Sequence, residues 1–324
     1  MHSFKALQQI VEKHLEEIEF NARPKELYEP VEYILGIGGK RIRPSLVLAA
    51  YNLFKDDVES AINPALALEV FHNFTLLHDD IMDKADLRRN QQTVHKKWNE
   101  NIAILSGDAM SIKAYELLAS VPNEFLSEVL QVFNKTALQV CEGQQMDMNF
   151  ENRLDVSVDE YLEMIKLKTS VLIAVSLKIG AIMAGASNSD SQKLYDFGLN
   201  MGLAFQLQDD YLDAYGDINV FGKKIGGDIV ANKKTFLLIN ALEKADKENA
   251  GELQNLMTNT DIDEDQKIKA VLEIFNKLNL DSLLKEKMVS YYNRAMEAMD
   301  SLSVSKERKL VLKEFTGKLM NRES

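Results

Sequence analysis

Two short acidic motifs stand out in this sequence because their residue types and spacing suit metal chemistry. The first, LLHDDIMD at residues 76–83, places three carboxylates inside an otherwise apolar stretch, and the second reads DDYLD at residues 209–213. In a helix, residues four apart lie about 40° apart around the axis and one turn along it, so Asp79 and Asp83 can reach the same ion. The same spacing relates Asp209 to Asp213. A charged, solvent-exposed helix face would explain one such cluster. Two DDxxD clusters, each preceded by an apolar run, favour a role in binding metal ions instead.

These acids are predicted to bind a hard cation such as Mg²⁺, and the cation in turn would bind a diphosphate. Mg²⁺ takes one or two carboxylates and completes its shell with water and phosphate oxygens. Like charges at the edge of a core cost free energy unless a cation neutralises them. Basic residues that could supply further positive charge lie in four short clusters: GGKRIRP at 38–44, LRR at 87–89, GKK at 222–224 and NKK at 232–234.

The elements that must position these residues are predicted to be helices. All five prolines lie at or before Pro122, and strict alternation of apolar and polar residues is scarce. SVDE forms a capping box that predicts a helix start at Ser157, and another start is predicted near Asn63 and Pro64. We therefore expect an all-α, single-domain helical bundle over residues 1–324. Ten or more helices would surround a central cavity, with the two acidic motifs facing each other across its mouth.

Composition narrows the class of protein further. The net charge of −12 argues against nucleic acid as a partner. A single cysteine, Cys141, excludes a disulfide framework and favours a reducing compartment. The most apolar segment, 171–186, is interrupted by Lys178 and is too short for a membrane span. The N-terminus lacks the pattern of a signal peptide, so we expect a cytoplasmic enzyme.

The order of motifs between residues 36 and 235 resembles the trans-isoprenyl diphosphate synthases, the head-to-tail prenyltransferases. The matching motifs are GGKRIRP, EVFHNFTLLHDDIMDKADLRRNQQTVH, GDAM, CEGQQMD, KLKTS, GLAFQLQDDYLD and FGKKIGGDIVANKKT. This resemblance implies the isoprenoid synthase type I fold, two or three Mg²⁺ ions and a homodimer. It also implies the substrates, isopentenyl diphosphate and an allylic diphosphate.

The resemblance assigns roles residue by residue. The residues that match the metal-independent site for isopentenyl diphosphate are Lys40, Arg43, His72 and Arg89. Those around the allylic diphosphate are Arg88, Lys168, Thr169, Gln206, Lys224 and Lys233. The principal Mg²⁺ ligands are Asp79, Asp83 and Asp209, with Asp80, Asp147 and Asp213 as supporting acids. The catalytic set is Asp79, Asp83, Lys168, Thr169, Gln206 and Asp209. Many relatives have a glycine directly before the residue that matches Lys233, whereas this chain has Asn232 there. This difference concerns the geometry of the loop more than the chemistry.

Product length is predicted from the residues that precede the first acid. Phe74 lies five positions before Asp79, which is about 7.5 Å deeper along a helix, and its ring can close the cavity. Thr75, four positions before Asp79, is small enough to leave room. In the family this pattern resembles enzymes that make the C20 geranylgeranyl product, with the C15 farnesyl product as the alternative.

Three other interpretations compete with this one. A class I terpene cyclase also uses DDxxD on an all-α fold, but its second metal motif usually differs and it needs no second diphosphate pocket. A phosphohydrolase is suggested by the adjacent His78 and Asp79, yet it needs more metal-binding histidines than the five present. A non-catalytic subunit of a heteromeric synthase tends to lose an acidic motif, and both motifs are intact here.

Overall fold

Helices make up most of the part of the chain that the structure describes. A computed structural model describes residues 1–20, 23–216, 225–259 and 261–320. The α-helices up to the first acidic motif are α1 (Phe4–Glu16), α2 (Lys25–Gly36), α3 (Ile42–Asn52) and α4 (Ile62–Met82), with a 3₁₀ turn at Glu59–Ala61. Those up to the second motif are α5 (Val94–Lys97), α6 (Glu100–Ala119), α7 (Asn123–Glu151), α8 (Val158–Ile165), α9 (Val171–Met183) and α10 (Asn188–Tyr215). The remaining ones are α11 (Gly227–Val230), α12 (Phe236–Lys244), α13 (Lys247–Thr258), α14 (Glu264–Lys277), α15 (Leu280–Asp300) and α16 (Lys306–Met320).

Two short irregular elements interrupt this helical pattern. Strands β1 (Leu87–Arg88) and β2 (Gln91–Gln92) pair antiparallel directly after α4. A π-helical segment, Lys166–Ser170, joins α8 to α9. The all-α prediction is confirmed, and each of these two elements carries residues predicted to bind substrate.

Local sequence signals fix several helix ends. The predicted capping box is present, since the Ser157 hydroxyl accepts from Glu160 N at 3.2 Å and Glu160 accepts from Ser157 N at 3.0 Å. Helix α4 begins one residue before Asn63, whose side chain donates to Ser120 instead of capping the helix. The predicted helix start near Asn63 and Pro64 is therefore confirmed.

The chain divides into two compact units. The first comprises Met1–Lys135, Val175–Tyr195 and Leu302–Leu312, and the second comprises Thr136–Ala174, Asp196–Ser301 and Lys313–Ser324. The first unit packs α4 against α3 and α6, with buried residues that include Leu46, Leu68 and Met110. The second has its own apolar core, which includes Leu207, Ile274 and Leu284. A single domain over residues 1–324 stays a prediction.

No helix in the described part of the chain is long and apolar enough to span a lipid bilayer.

Candidate active site

The first acidic motif lies at the C-terminal end of α4. Asp80 is buried, Asp79 is partly buried, and Asp83 is an exposed residue that follows the last helical residue. The carbonyl groups at a helix C-terminus carry partial negative charge, so carboxylates there are unfavourable without a cation nearby. This position therefore suits Asp79 and Asp83 as ligands for a positive ion.

Asp80 already has a cationic partner. Arg88 donates from Nε to both carboxylate oxygens of Asp80, at 2.9 and 2.8 Å, and from Nη2 at 2.6 Å. Arg88 Nη2 also lies 3.8 Å from Asp79 Oδ2. Burial lowers the pKa of Arg88, but its hydrogen bonds to Asp80 and the negative charges of Asp80, Asp79 and Asp83 together raise the pKa above its usual value. Asp80 thus anchors Arg88 in this structure, whereas sequence reasoning gave the two residues separate metal and substrate roles.

Arg89 lies in the tight turn of the β1–β2 hairpin. Arg89 and Asn90 both have positive φ, 52° and 62°, as the two central residues of a type I′ turn require. This turn places the Arg89 guanidinium against Gly39, where an added Cβ would lie only 2.5 Å from Nη1. Gly39 is therefore required for the guanidinium to lie beside the GGKRIRP loop.

Arg43 and His72 form a direct contact beside that loop. Arg43 Nη1 lies 3.0 Å from His72 Nε2, so the imidazole nitrogen must accept this hydrogen bond. Burial lowers the pKa of His72 well below 6.5, and the nearby Arg43 and Arg89 lower it further. Burial also lowers the pKa of Arg43 to about 10. Lys40 is exposed on the same loop. Arg43 and Arg89 beside a neutral histidine, with Lys40 on the adjoining loop, suit a diphosphate bound without metal.

Sequence reasoning missed two residues that support this pocket. Arg41 is buried at a positive φ of 45°, and it donates to Glu69 at 2.8 Å, to Glu12 at 2.9 Å and to the Leu35 carbonyl at 2.7 Å. Glu69 is itself buried in α4. The signal that could have found this pair is the lone carboxylate in the apolar run ALALEVF, since a buried charge needs a partner.

In the second unit, the π-helical segment carries Lys168 and Thr169. Lys168 Nζ donates to Asp147 at 2.6 Å, and the Thr169 hydroxyl lies 3.4 Å from Gln206 Oε1. Glycines allow neighbouring helices to approach this segment closely. An added Cβ at Gly143 would lie 2.2 Å from Lys168 N. Two predicted pairs of site residues therefore meet here, and π-helical turns are common at functional sites.

The second acidic motif lies near the C-terminal end of α10, and its three acids have different surroundings. Asp209 is partly buried. Asp210, which sequence reasoning left without a role, is buried and accepts from the Tyr161 hydroxyl at 2.5 Å and from Phe236 N at 3.3 Å. Burial raises the pKa of Asp210 to about 7. Asp210 thus ties α10 to α8 and α12.

Asp213 contacts the start of α11. Its carboxylate accepts from Asp228 N at 3.0 Å, and its pKa is raised by burial and by the negative charge of Asp228. Lys233 Nζ lies 3.7 Å from Asp228 Oδ1. Asn232 has a φ of 52°, which explains why glycine is common at this position and why asparagine is tolerated. Lys224 lies outside the described residues.

The acids of the two motifs suit a metal ion that is bound partly by protein carboxylates and partly by a bound substrate. Within residues 1–20, 23–216, 225–259 and 261–320, no three His, Cys, Asp or Glu side chains form a group that could hold an ion by themselves. Burial and the negative charge of Asp228 raise the pKa of Asp213, and a divalent cation would relieve this repulsion. All these donors are oxygens, as Mg²⁺ prefers.

The residues predicted to set product length lie on α4 as expected from their spacing. Phe74 and Thr75 are both partly exposed, and the Thr75 hydroxyl donates to the His72 carbonyl at 2.8 Å. Because Phe74 is not fully buried, its removal should cost less stability than that of a core phenylalanine.

Known proteins resemble this chain over most of its length. The family model for polyprenyl synthetase matches residues 24–275. A geranylgeranyl diphosphate synthase of Methanosarcina mazei is 39% identical over 293 residues, which cover 90% of this chain and 88% of that protein. A geranylfarnesyl diphosphate synthase of Natronomonas pharaonis is 34% identical over 307 residues, with 89% and 88% covered. A crystal structure of a geranylgeranyl pyrophosphate synthase is 46% identical, covers 100% of both chains and has a TM-score of 0.94.

These similarities confirm the expected fold family and the expected class of enzyme, a prenyltransferase. This chain therefore belongs to the polyprenyl synthetase family.

Proposed function

We propose that this chain condenses isopentenyl diphosphate with an allylic diphosphate, head to tail, to give a short all-trans prenyl diphosphate. The C20 product is the proposed end point, and the C15 product is the alternative. One observation carries the proposal. The acidic motif of α4 is accompanied, within the same unit, by the arginine and histidine pocket of Arg43, His72 and Arg89. A synthase needs such a second, metal-free diphosphate site, whereas a terpene cyclase does not.

The proposed chemistry assigns each group of residues one task. Asp79, Asp83 and Asp209 would hold two or three Mg²⁺ ions, with Asp147 and Asp213 as supporting acids. Bound Mg²⁺ would stabilise the departing diphosphate when the allylic C–O bond ionises. Lys168 and Lys233 would bind the same diphosphate from the protein side.

The residues near the carbon chain would stabilise the cation and keep it from water. The oxygen atoms of Thr169 and Gln206 can direct dipoles at the allylic cation without acting as strong nucleophiles. The double bond of isopentenyl diphosphate then attacks, and a proton leaves, with the departing diphosphate as its proposed acceptor. Apolar residues that precede each acidic motif would exclude water.

A homodimer is part of the proposal, and one face of α6 supports it. Leu105 and Ile112 are 60% and 70% exposed, and residues seven apart in a helix lie within about 20° of each other. Exposed apolar side chains repeated on one face support the proposal that a second copy would cover this surface. A cytoplasmic location is also part of the proposal, and the free thiol of Cys141, the single cysteine, suits a reducing compartment.

A product assay tests the function. The purified chain is incubated with Mg²⁺, isopentenyl diphosphate and dimethylallyl, geranyl or farnesyl diphosphate in turn, and the dephosphorylated alcohols are separated by chromatography. We expect C20 alcohol from each primer and no product with a chelator. Cyclic hydrocarbon formed from an allylic diphosphate alone would favour the cyclase instead. Lack of any product with all three primers would favour a non-catalytic subunit.

A further inference from the structure

His78, the residue directly before the first acid, contacts the ring of Phe74. The two rings have centroids 4.7 Å apart at 66°, an edge-to-face arrangement that aromatic pairs prefer. His78 Nε2 also lies 3.2 Å from the Ile104 carbonyl of α6. A carbonyl can only accept, so this nitrogen carries the hydrogen and the imidazole plane is fixed.

Gly107 of α6 makes room for this imidazole. An added Cβ at Gly107 would lie 2.3 Å from His78 Nε2 and 2.6 Å from Cδ2. These separations are far below van der Waals contact, so any side chain at this position would displace the histidine ring. His78 is therefore held along its Nε2 edge by a hydrogen bond to α6 and by the close approach of α6 at Gly107.

Phe74 has a second aromatic neighbour. The ring of Phe71 lies 5.4 Å from that of Phe74, and Phe71 in turn packs at 5.0 Å against the buried Phe133. Phe74 itself is only partly buried, so burial alone does not fix its ring. His78 and Phe71 together limit its rotation.

We propose that His78 is a positioning residue for product length, which holds the Phe74 ring in the orientation that stops chain growth. This inference rests on the proposed function, because it needs a growing prenyl chain. Without His78, the Phe74 ring gains room to turn aside when a terminal isoprene unit presses on it. Product length then depends on the contact between α4 and α6 as well as on the identity of Phe74.

Product distributions of single and double variants test this role. The set comprises His78→Ala, His78→Gln, Gly107→Ala and the double variant His78→Ala with Gly107→Ala. Phe74→Ala serves as the positive control for longer products. Gly317→Ala is the matched glycine control, since it also lies inside a helix and has no described heavy atom within 4 Å of an added Cβ.

We expect His78→Ala to raise the share of products longer than the normal end product about fivefold, the scale of one lost aromatic contact. The KM for isopentenyl diphosphate should stay unchanged. His78→Gln keeps a donor for the Ile104 carbonyl and should lie closer to the wild type. Gly107→Ala should lengthen products when His78 is present and add nothing when His78 is alanine.

Several results would overturn the inference. One is an unchanged distribution in His78→Ala while Phe74→Ala lengthens products. Another is an equal effect of Gly107→Ala with and without His78, which would show that helix spacing acts directly. Complete loss of turnover in a folded His78→Ala variant would mean that His78 acts with the neighbouring acids in catalysis and not on product length. A wild-type chain that elongates no primer contradicts the proposed function itself, and that result is distinct from all of these.

Discussion

At the scale of single residues, Asp79 and Asp209 are each the first acid of their motif. If they hold the ions that stabilise the departing diphosphate, their contribution is greatest when charge develops in the transition state. Asp79→Ala and Asp209→Ala should each lower kcat by roughly a hundredfold or more, while circular dichroism shows unchanged helix content. Glu252→Ala, which removes an exposed carboxylate on α13, is the control. Near-normal turnover of either aspartate variant at saturating Mg²⁺ would contradict the two-motif mechanism.

His72 gives a prediction about pH at the same scale. Its folded-state pKa lies well below 6.5 because of burial and the positive charges of Arg43, Arg89, Arg88 and Arg41. As the pH falls below about 6.5, the unfolded chain binds a proton that the folded chain excludes, so stability falls by up to ~1.4 kcal/mol per pH unit.

The substitution His72→Gln keeps an acceptor for Arg43 and removes the titration. Urea unfolding of the wild type and the variant, compared between about pH 5.5 and 7.5 without substrate, isolates this contribution. The wild type should lose more stability than the variant as the pH falls. Parallel stability curves would mean that His72 is protonated as easily in the folded chain as in the unfolded one.

At the scale of elements, the close approach of α7 to the π-helical segment positions Lys168. An added Cβ at Gly143 would meet the Lys168 backbone nitrogen at 2.2 Å, and a backbone atom cannot rotate away. Gly143→Ala should therefore destabilise the protein by about 1–3 kcal/mol and lower kcat. Gly317→Ala should be neutral or stabilising by up to about 1 kcal/mol, because alanine favours helix. Thermal unfolding and steady-state kinetics measure both effects. A Gly143→Ala protein with wild-type stability and kcat would refute this account of the segment.

At the scale of the whole molecule, the exposed face of α6 predicts how two copies associate. Ile112→Glu places a charge in the centre of the proposed apolar interface, where it cannot be solvated. Light scattering coupled to gel filtration should give a dimer for the wild type and a monomer for Ile112→Glu. Leu310→Glu is the matched control, because Leu310 is 51% exposed on another helix. Dissociation of both variants, or of neither, would argue against α6 as the interface.

The sequence was sufficient for what depends on local spacing and on order along the chain. The all-α class follows from helical periodicity, and the capping box at Ser157 follows from the side chains within one turn. The family follows from the order of the motifs. The departure from glycine at Asn232 was attributed to loop geometry, and the positive φ of 52° at this residue came from the structure. Helical periodicity and capping are encoded within a few neighbouring residues, and the order of the motifs can be read directly along the chain.

Only the tertiary structure decided which charged residues pair with one another. Spacing within a motif could not reveal that Arg88 binds Asp80, that Arg41 binds Glu69 or that Asp210 accepts from Tyr161. These partners lie between 8 and 49 positions apart in the sequence. The pairing of ionic groups depends on burial and on the approach of separate elements, and both arise only when helices pack. Helical spacing likewise predicted Phe74 on α4, whereas the contact of His78 with Phe74 and the gap at Gly107 required the packing of α4 against α6.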